Sequence, residues 1–228
     1  MAGNFIRGAL VEFVETFSLP VPNVIIFQFN PEIITHTWTQ PEADTDRQDP
    51  LAVKGTPGES FSFNIVMDAN DMIADGTPVA QVLATTSGIY SRLAALELLQ
   101  YPVSKSDNLL GTVSSAANVS IGGKKTDRSV PVSEIPTVLF VWGAGRIVPV
   151  RVTTLTITER LYDPFLNPIH AEAQLGLRVL TPEELDAVPG ARGKIARTAY
   201  TYSLQKRQAF ALANLANGVE SIIGMLPV

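Results

Sequence analysis

Residues Pro57 to Asp68 read P-G-E-S-F-S-F-N-I-V-M-D, with Phe61, Phe63, Ile65 and Met67 at every second position and Ser60, Ser62 and Asn64 between them. A strand turns successive side chains to opposite faces, so this spacing predicts a half-buried antiparallel strand with one face on a core. Working outward, the same alternation between turn residues predicts strands near Gly8 to Thr16, Val24 to Phe29, Ile33 to Thr39, Thr137 to Trp142, Ile147 to Arg160 and His170 to Val179. Between Arg151 and Glu159 the apolar phase breaks at Thr153 and Thr154, where a β-bulge would reset it.

One helix is predicted among the strands, Ser87 to Tyr101, with Ile89, Leu93, Leu96 and Leu99 at helical spacing and Pro102 ending it. Two long segments, Gln40 to Pro57 and Tyr101 to Pro136, are rich in turn residues and suit partner contacts. Thr181-Pro182-Glu183-Glu184 has the form of a capping box, opening a short helix that Pro189-Gly190 closes. Beyond it the composition shifts. Arg192, Lys194, Arg197, Lys206 and Arg207 suggest a basic linker, and Leu212, Leu215, Val219 and Ile222 then fall on one face of a C-terminal helix. That helix packs either on its own domain or on another subunit. The predicted organisation is a β-domain over residues 1–190 and a linker with helical tail over 191–228.

The 228 residues are ample for a hydrophobic core, and the absence of cysteine leaves neither disulfides nor thiolate metal sites to hold it. A net charge of -5 argues against nucleic acid, since Lys124, Lys125 and Arg128 make only a small basic patch. The N-terminus has no secretory pattern, and no stretch has the roughly 18 apolar residues of a membrane span. Assembly in the cytoplasm without membrane insertion is expected.

Catalytic signatures are thin. His36 and His170 are the only histidines, and each reads as a surface or interface residue before a zinc ligand or a triad member. Gly143-Ala144-Gly145 lacks the third glycine and the helix of a dinucleotide site and reads as a turn between strands. Asp68, Asn70 and Asp71 miss calcium-loop spacing and read as a polar turn at a strand end. We therefore expect no catalytic residue, no cofactor and no metal, and hence no enzyme.

Four segments in order carry a resemblance: F-Q-F-N-P at Phe27 to Pro31, P-G-E-S-F-S-F-N-I-V-M-D at Pro57 to Asp68, P-T-V-L-F-V-W-G at Pro136 to Gly143, and L-Y-D-P-F-L-N-P-I-H-A-E-A at Leu161 to Ala173. Over Ala9 to Leu180 the chain resembles the N-terminal domain family of tube proteins from phage-tail-like contractile injection systems. It departs from the family pattern in two places. Leu166-Asn167-Pro168 with His170 stands where the family usually has Gly-x-Pro with a basic residue two positions on, and the tail shows no LysM pattern.

The resemblance implies a mainly β, antiparallel sandwich or barrel-like tube-type domain. It also implies a structural role in a ring, expected to be a hexamer, that connects the inner tube to the baseplate or spike hub. Its partners would be copies of itself and the tube, spike and baseplate proteins, with residues 40–57 making lateral contacts. Leu212, Leu215, Val219 and Ile222 would anchor a partner in place of the LysM module. The alternative is a stand-alone β-module that stacks glycan or peptide on Trp38, Trp142 and Tyr162. For the core, the strand phases predict Phe29, Phe63, Phe140, Trp142 and Leu96.

Overall fold

The computed structural model describes residues 6–16, 19–41, 52–53, 55–75, 77–101 and 136–225; for residues 14–16, 19–22, 75, 216–217 and 219–225 it describes the backbone alone. Among these residues the strands are β1 (Ala9–Thr16), β2 (Leu19–Ile26), β3 (Ile34–Thr39), β4 (Gly58–Asp68), β5 (Val138–Val141), β6 (Ile147–Tyr162) and β7 (Pro168–Val179). The helices are α1 (Ala69–Asp75), α2 (Pro78–Ser87), α3 (Tyr90–Leu98), α4 (Pro182–Asp186) and α5 (Gly190–Met225).

β4 keeps the phase its sequence predicts: Phe61, Phe63, Ile65 and Met67 are all buried. Glu59 sits in the same phase and is buried with them. β7 answers with Ala171, Ala173, Leu175, Leu177 and Val179. In β6, Val148, Val150 and Val152 face the core, and after a register shift between Val152 and Thr154 the inward phase passes to Leu155 and Ile157. The expected bulge is present. Gly176 lies opposite it, where a Cβ would come within 2.2 Å of the Thr154 hydroxyl, so only glycine leaves room.

All seven strands form one antiparallel sheet in the order β2-β1-β5-β6-β7-β4-β3. β5 and β4 are three strand spacings apart in that order, about 14 Å in a flat sheet. Yet Phe140 of β5 lies only 5.2 Å from Phe61 and 5.3 Å from Phe63 of β4, measured between ring centroids. The sheet must therefore curl until its two halves face each other. Among the described residues it does not close into a barrel, since β2 and β3 stand at the two ends of the strand order. Ile89, Leu93, Leu96 and Leu99 from the α3 region fill the same core.

Several expectations are corrected. Five helices accompany the sheet among the described residues, of which α1 and α2 were not expected, and the helix expected over Ser87 to Tyr101 is shorter, Tyr90–Leu98. Asp68-Asn70-Asp71 is not a simple turn: Asp68 accepts from the Asn70 backbone amide at 2.8 Å as α1 begins. The basic stretch after Gly190 is no linker but the first turns of α5. The strand expected over Val24 to Phe29 runs earlier, and Phe29 is exposed while Phe27 is fully buried. The physical reason is that β2 ends at Ile26, so the alternation that put Phe29 inside no longer applies. Phe63, Phe140 and Leu96 are buried as expected, and Trp142 packs against the core half-buried. Nearly all of the two long segments, residues 42–51, 54 and 102–135, lies outside the described residues.

Phe27→Ala should lower the free energy of unfolding by about 3–5 kcal/mol, the usual cost of truncating a buried aromatic. Phe29→Ala should change it by less than about 1 kcal/mol. Urea denaturation of the two variants checks the assignment.

Candidate functional site

Two clusters of polar side chains do what backbone pairing does not. The first lies where the chain leaves β2. Gln28 donates from Nε2 to the Asp68 carbonyl at 2.8 Å and accepts the Asp68 amide on Oε1 at 3.1 Å. One side chain thus makes both bonds that a neighbouring strand would make at the end of β4. Asn30 does the same on the other side, accepting from the Gly8 amide at 2.8 Å and donating to the Ile6 carbonyl at 2.9 Å. Immediately before Gln28, Phe27 enters the core, with ring centroids 5.5 Å from Phe63 and 6.5 Å from Phe140 and Trp142. Gly8 is obligatory at this crossing, since a Cβ there would fall 2.6 Å from the Trp142 ring and 2.8 Å from Phe27.

Asp68 also meets His170 Nδ1 at 3.1 Å. Burial opposes ionisation of this carboxyl, but the hydrogen bonds from His170 and from the Asn70 backbone amide outweigh it and hold the group below its usual range. The neighbouring turn is fixed likewise. Asp163 accepts from the backbone amides of Phe165 and Asn167, each at 2.8 Å, and supports positive φ at Leu161 and Leu166.

The second cluster locks α5 onto the sheet. Ser203, buried, accepts from the Ile147 amide at 2.9 Å and donates to the Ile147 carbonyl at 2.6 Å. Tyr202 donates its hydroxyl to the Ala144 carbonyl at 2.7 Å, in the tight turn where Gly143 takes positive φ. Arg207 grips buried Glu59 with both guanidinium nitrogens, one at 2.9 Å from Oε2 and the other on Oε1. Glu59 Oε1 also meets His36 Nε2 at 2.7 Å. The His36 ring lies against Trp38 and Phe61, and the Arg146 guanidinium stands 5.3 Å over Phe61.

Burial pushes the His36 imidazole below its ordinary value, against the hydrogen bond and charge of Glu59, and the Arg146 and Arg207 cations push the same way as burial. His36 is therefore no surface residue but a donor in a closed network. Among the described residues no buried side-chain polar atom lacks a partner.

The residues singled out from sequence divide clearly. Leu212 and Leu215 are 68% and 63% exposed on α5, with Phe210 at 67% beside them. Val219 and Ile222 lie in the same helix, and their side chains are outside the described residues. The aromatic trio does not come together. Trp38 pairs with Glu59 at one end of β4 and Tyr162 pairs with Pro168 beyond the other, about 36 Å along the strand direction at the usual rise. Among the described residues no three His, Asp or Glu side chains gather as metal ligands, and no helix is long and apolar enough to cross a membrane. No protein-family model matches the chain, and no curated protein matches it.

Sequence reasoning missed Gln28, Asn30, Glu59, Ser203 and Arg207. Only Glu59 left a signal, as a carboxylate in the apolar phase of its strand.

Two outcomes follow from these networks. Gln28→Ala leaves the Asp68 amide and carbonyl without their partner and should destabilise the fold by about 1–3 kcal/mol in chemical denaturation. His36, held neutral by the fold, takes up a proton more readily when unfolded, so it lowers stability as pH drops below its ordinary value of about 6.5. His36→Gln keeps a donor toward Glu59 and should flatten the stability-versus-pH curve between about pH 7 and 5, measured by thermal melts.

Proposed function

We propose that this chain is a structural component of a phage-tail-like contractile injection system, one copy in a ring that joins the inner tube to the baseplate or spike hub. The observation that carries this is the convergence of the four resembling segments on one device. Phe27 packs at a tilt against Phe63, Phe140 and Trp142, Gln28 clamps Asp68, and Asp68 bonds His170, drawing together positions more than 100 residues apart. The motifs hold the curl of a wall and do not assemble a reactive centre.

Two further features suit that role. The curled sheet ends on β3, and such an edge is where neighbouring subunits pair in a ring. α5 is 36 residues long, about 54 Å at helical rise, and from residue 208 to 215 every side chain is exposed. A docked first half followed by an exposed stretch bearing Phe210, Leu212 and Leu215 suits a helix that enters a groove on a partner. Leu212 and Leu215, with Val219 and Ile222 further along, are the contacts we assign to the baseplate side.

In cells producing the particle's sheath and tube proteins, a tagged copy of the chain should cosediment with the particles and appear by electron microscopy as a ring layer between tube and spike. Leu212→Asp with Leu215→Asp should leave the circular dichroism spectrum and melting temperature unchanged and reduce the amount recovered with particles by about tenfold, a loss equivalent to about 1.4 kcal/mol of contact. A wild-type chain that stays in the supernatant as a monomer would overturn the proposal.

A further inference from the structure

β2 is an edge strand whose two halves present different surfaces. Its register pairs Ala9 with Ile26, and Phe27 donates to the Gly8 carbonyl at 2.9 Å. Bonded and non-bonded pairs alternate along an antiparallel ladder, so Gly8 with Phe27 and Leu10 with Ile25 bond inward. Val24 and Ile26 then direct their backbone groups away from β1, toward the open edge. The same alternation makes positions 20 and 22 outward-directed, opposite Glu15 and Phe13, and both are proline. Proline has no amide to offer an incoming strand. The first half of the edge is therefore blunted, and the second half is not.

A cleft of about 230 Å³ opens beside that second half, walled by Val24, Ile26, Ile65, Met67 and Leu96 and bearing Arg92. It exists because β3 begins only at Ile34, opposite Phe63, so the last residues of β4 have no strand on that side. Arg92 reaches from α3 to the outward Ile26 carbonyl with a long contact of 3.4 Å. Among the described residues no carboxylate makes an ion pair with it. Burial and then the nearby Arg7 charge both disfavour its cation. An anion in the cleft would relieve both.

We propose that the β2 edge at Val24 and Ile26 takes an extended segment of a partner protein that carries an acidic side chain for Arg92. The segment adds as a strand, its amide replacing Arg92 on the Ile26 carbonyl, and the freed guanidinium turns to the carboxylate. Apolar side chains flanking the acid fit the Val24, Ile26 and Met67 wall. The site rests on the chain's own edge and charge, whichever assembly the chain joins.

The test uses amide NMR of the full chain titrated with a capped threonyl-valyl-glutamyl-valyl-threonine peptide. Saturable shifts at the Val24 and Ile26 amides are expected. The glutamine analogue of the peptide, and the Arg92→Gln variant, should each bind about fivefold more weakly. N-methylation of the peptide amides should weaken binding about tenfold. Val24→Pro, which removes an outward amide and spares the β1 ladder, should do the same. The N-methylated peptide tests that bond on the wild-type chain if the variant does not fold. Absence of shifts at millimolar peptide, or equal binding of the parent and N-methylated peptides, would overturn the proposal. So would concentration-dependent shifts of those amides without peptide, which would put a second copy of this chain on the edge.

Discussion

The fold depends on one side chain standing in for a strand. A curled, unclosed sheet has a seam where two edges approach without pairing, and the seam must still satisfy the backbone at the end of β4. Gln28 does so with a single amide that donates to the Asp68 carbonyl and accepts its N–H. Because Gln28 follows Phe27 directly, the polar clamp and a fully buried core aromatic are placed by two adjacent residues. Asn30 ties the far side of the connector to the start of β1. The curl, the aromatic stack of Phe27, Phe63 and Phe140, and the position of His170 against Asp68 all follow from that crossing.

The opposite end of the sheet solves a different problem. Glu59 occupies a core phase of β4, and a buried carboxylate without partners is strongly unfavourable. His36 from β3 and Arg207 from α5 converge on it, so neutralising one buried charge also fixes where a long helix lies. Ser203 and Tyr202 secure that helix to the β5–β6 turn. Past Arg207 every side chain of α5 from residue 208 to 215 is exposed, Leu212 and Leu215 among them. The exposed stretch therefore begins just after the ion pair.

The two ends of the sheet are held by different physical means. One sets the shape of the wall through apolar stacking and amide clamps, and the other presents an appendage held by charge.

From the sequence alone, the alternation in β4, β6 and β7, the bulge at Thr153 and Thr154, the capping box at Thr181 and the exposed stripe of Leu212 and Leu215 were legible. Each is local, expressed within a few residues by the two-residue or 3.6-residue period. The burial of Phe27 in place of Phe29, the side-chain clamps of Gln28 and Asn30, and the meeting of His36, Glu59 and Arg207 were not. They depend on how far the sheet curls, which brings residues 40 to nearly 150 positions apart into contact. Periodicity fixes which face of a strand is apolar. Only the tertiary structure decides where that strand ends, which edges meet, and which polar side chains must take the place of the missing backbone partner.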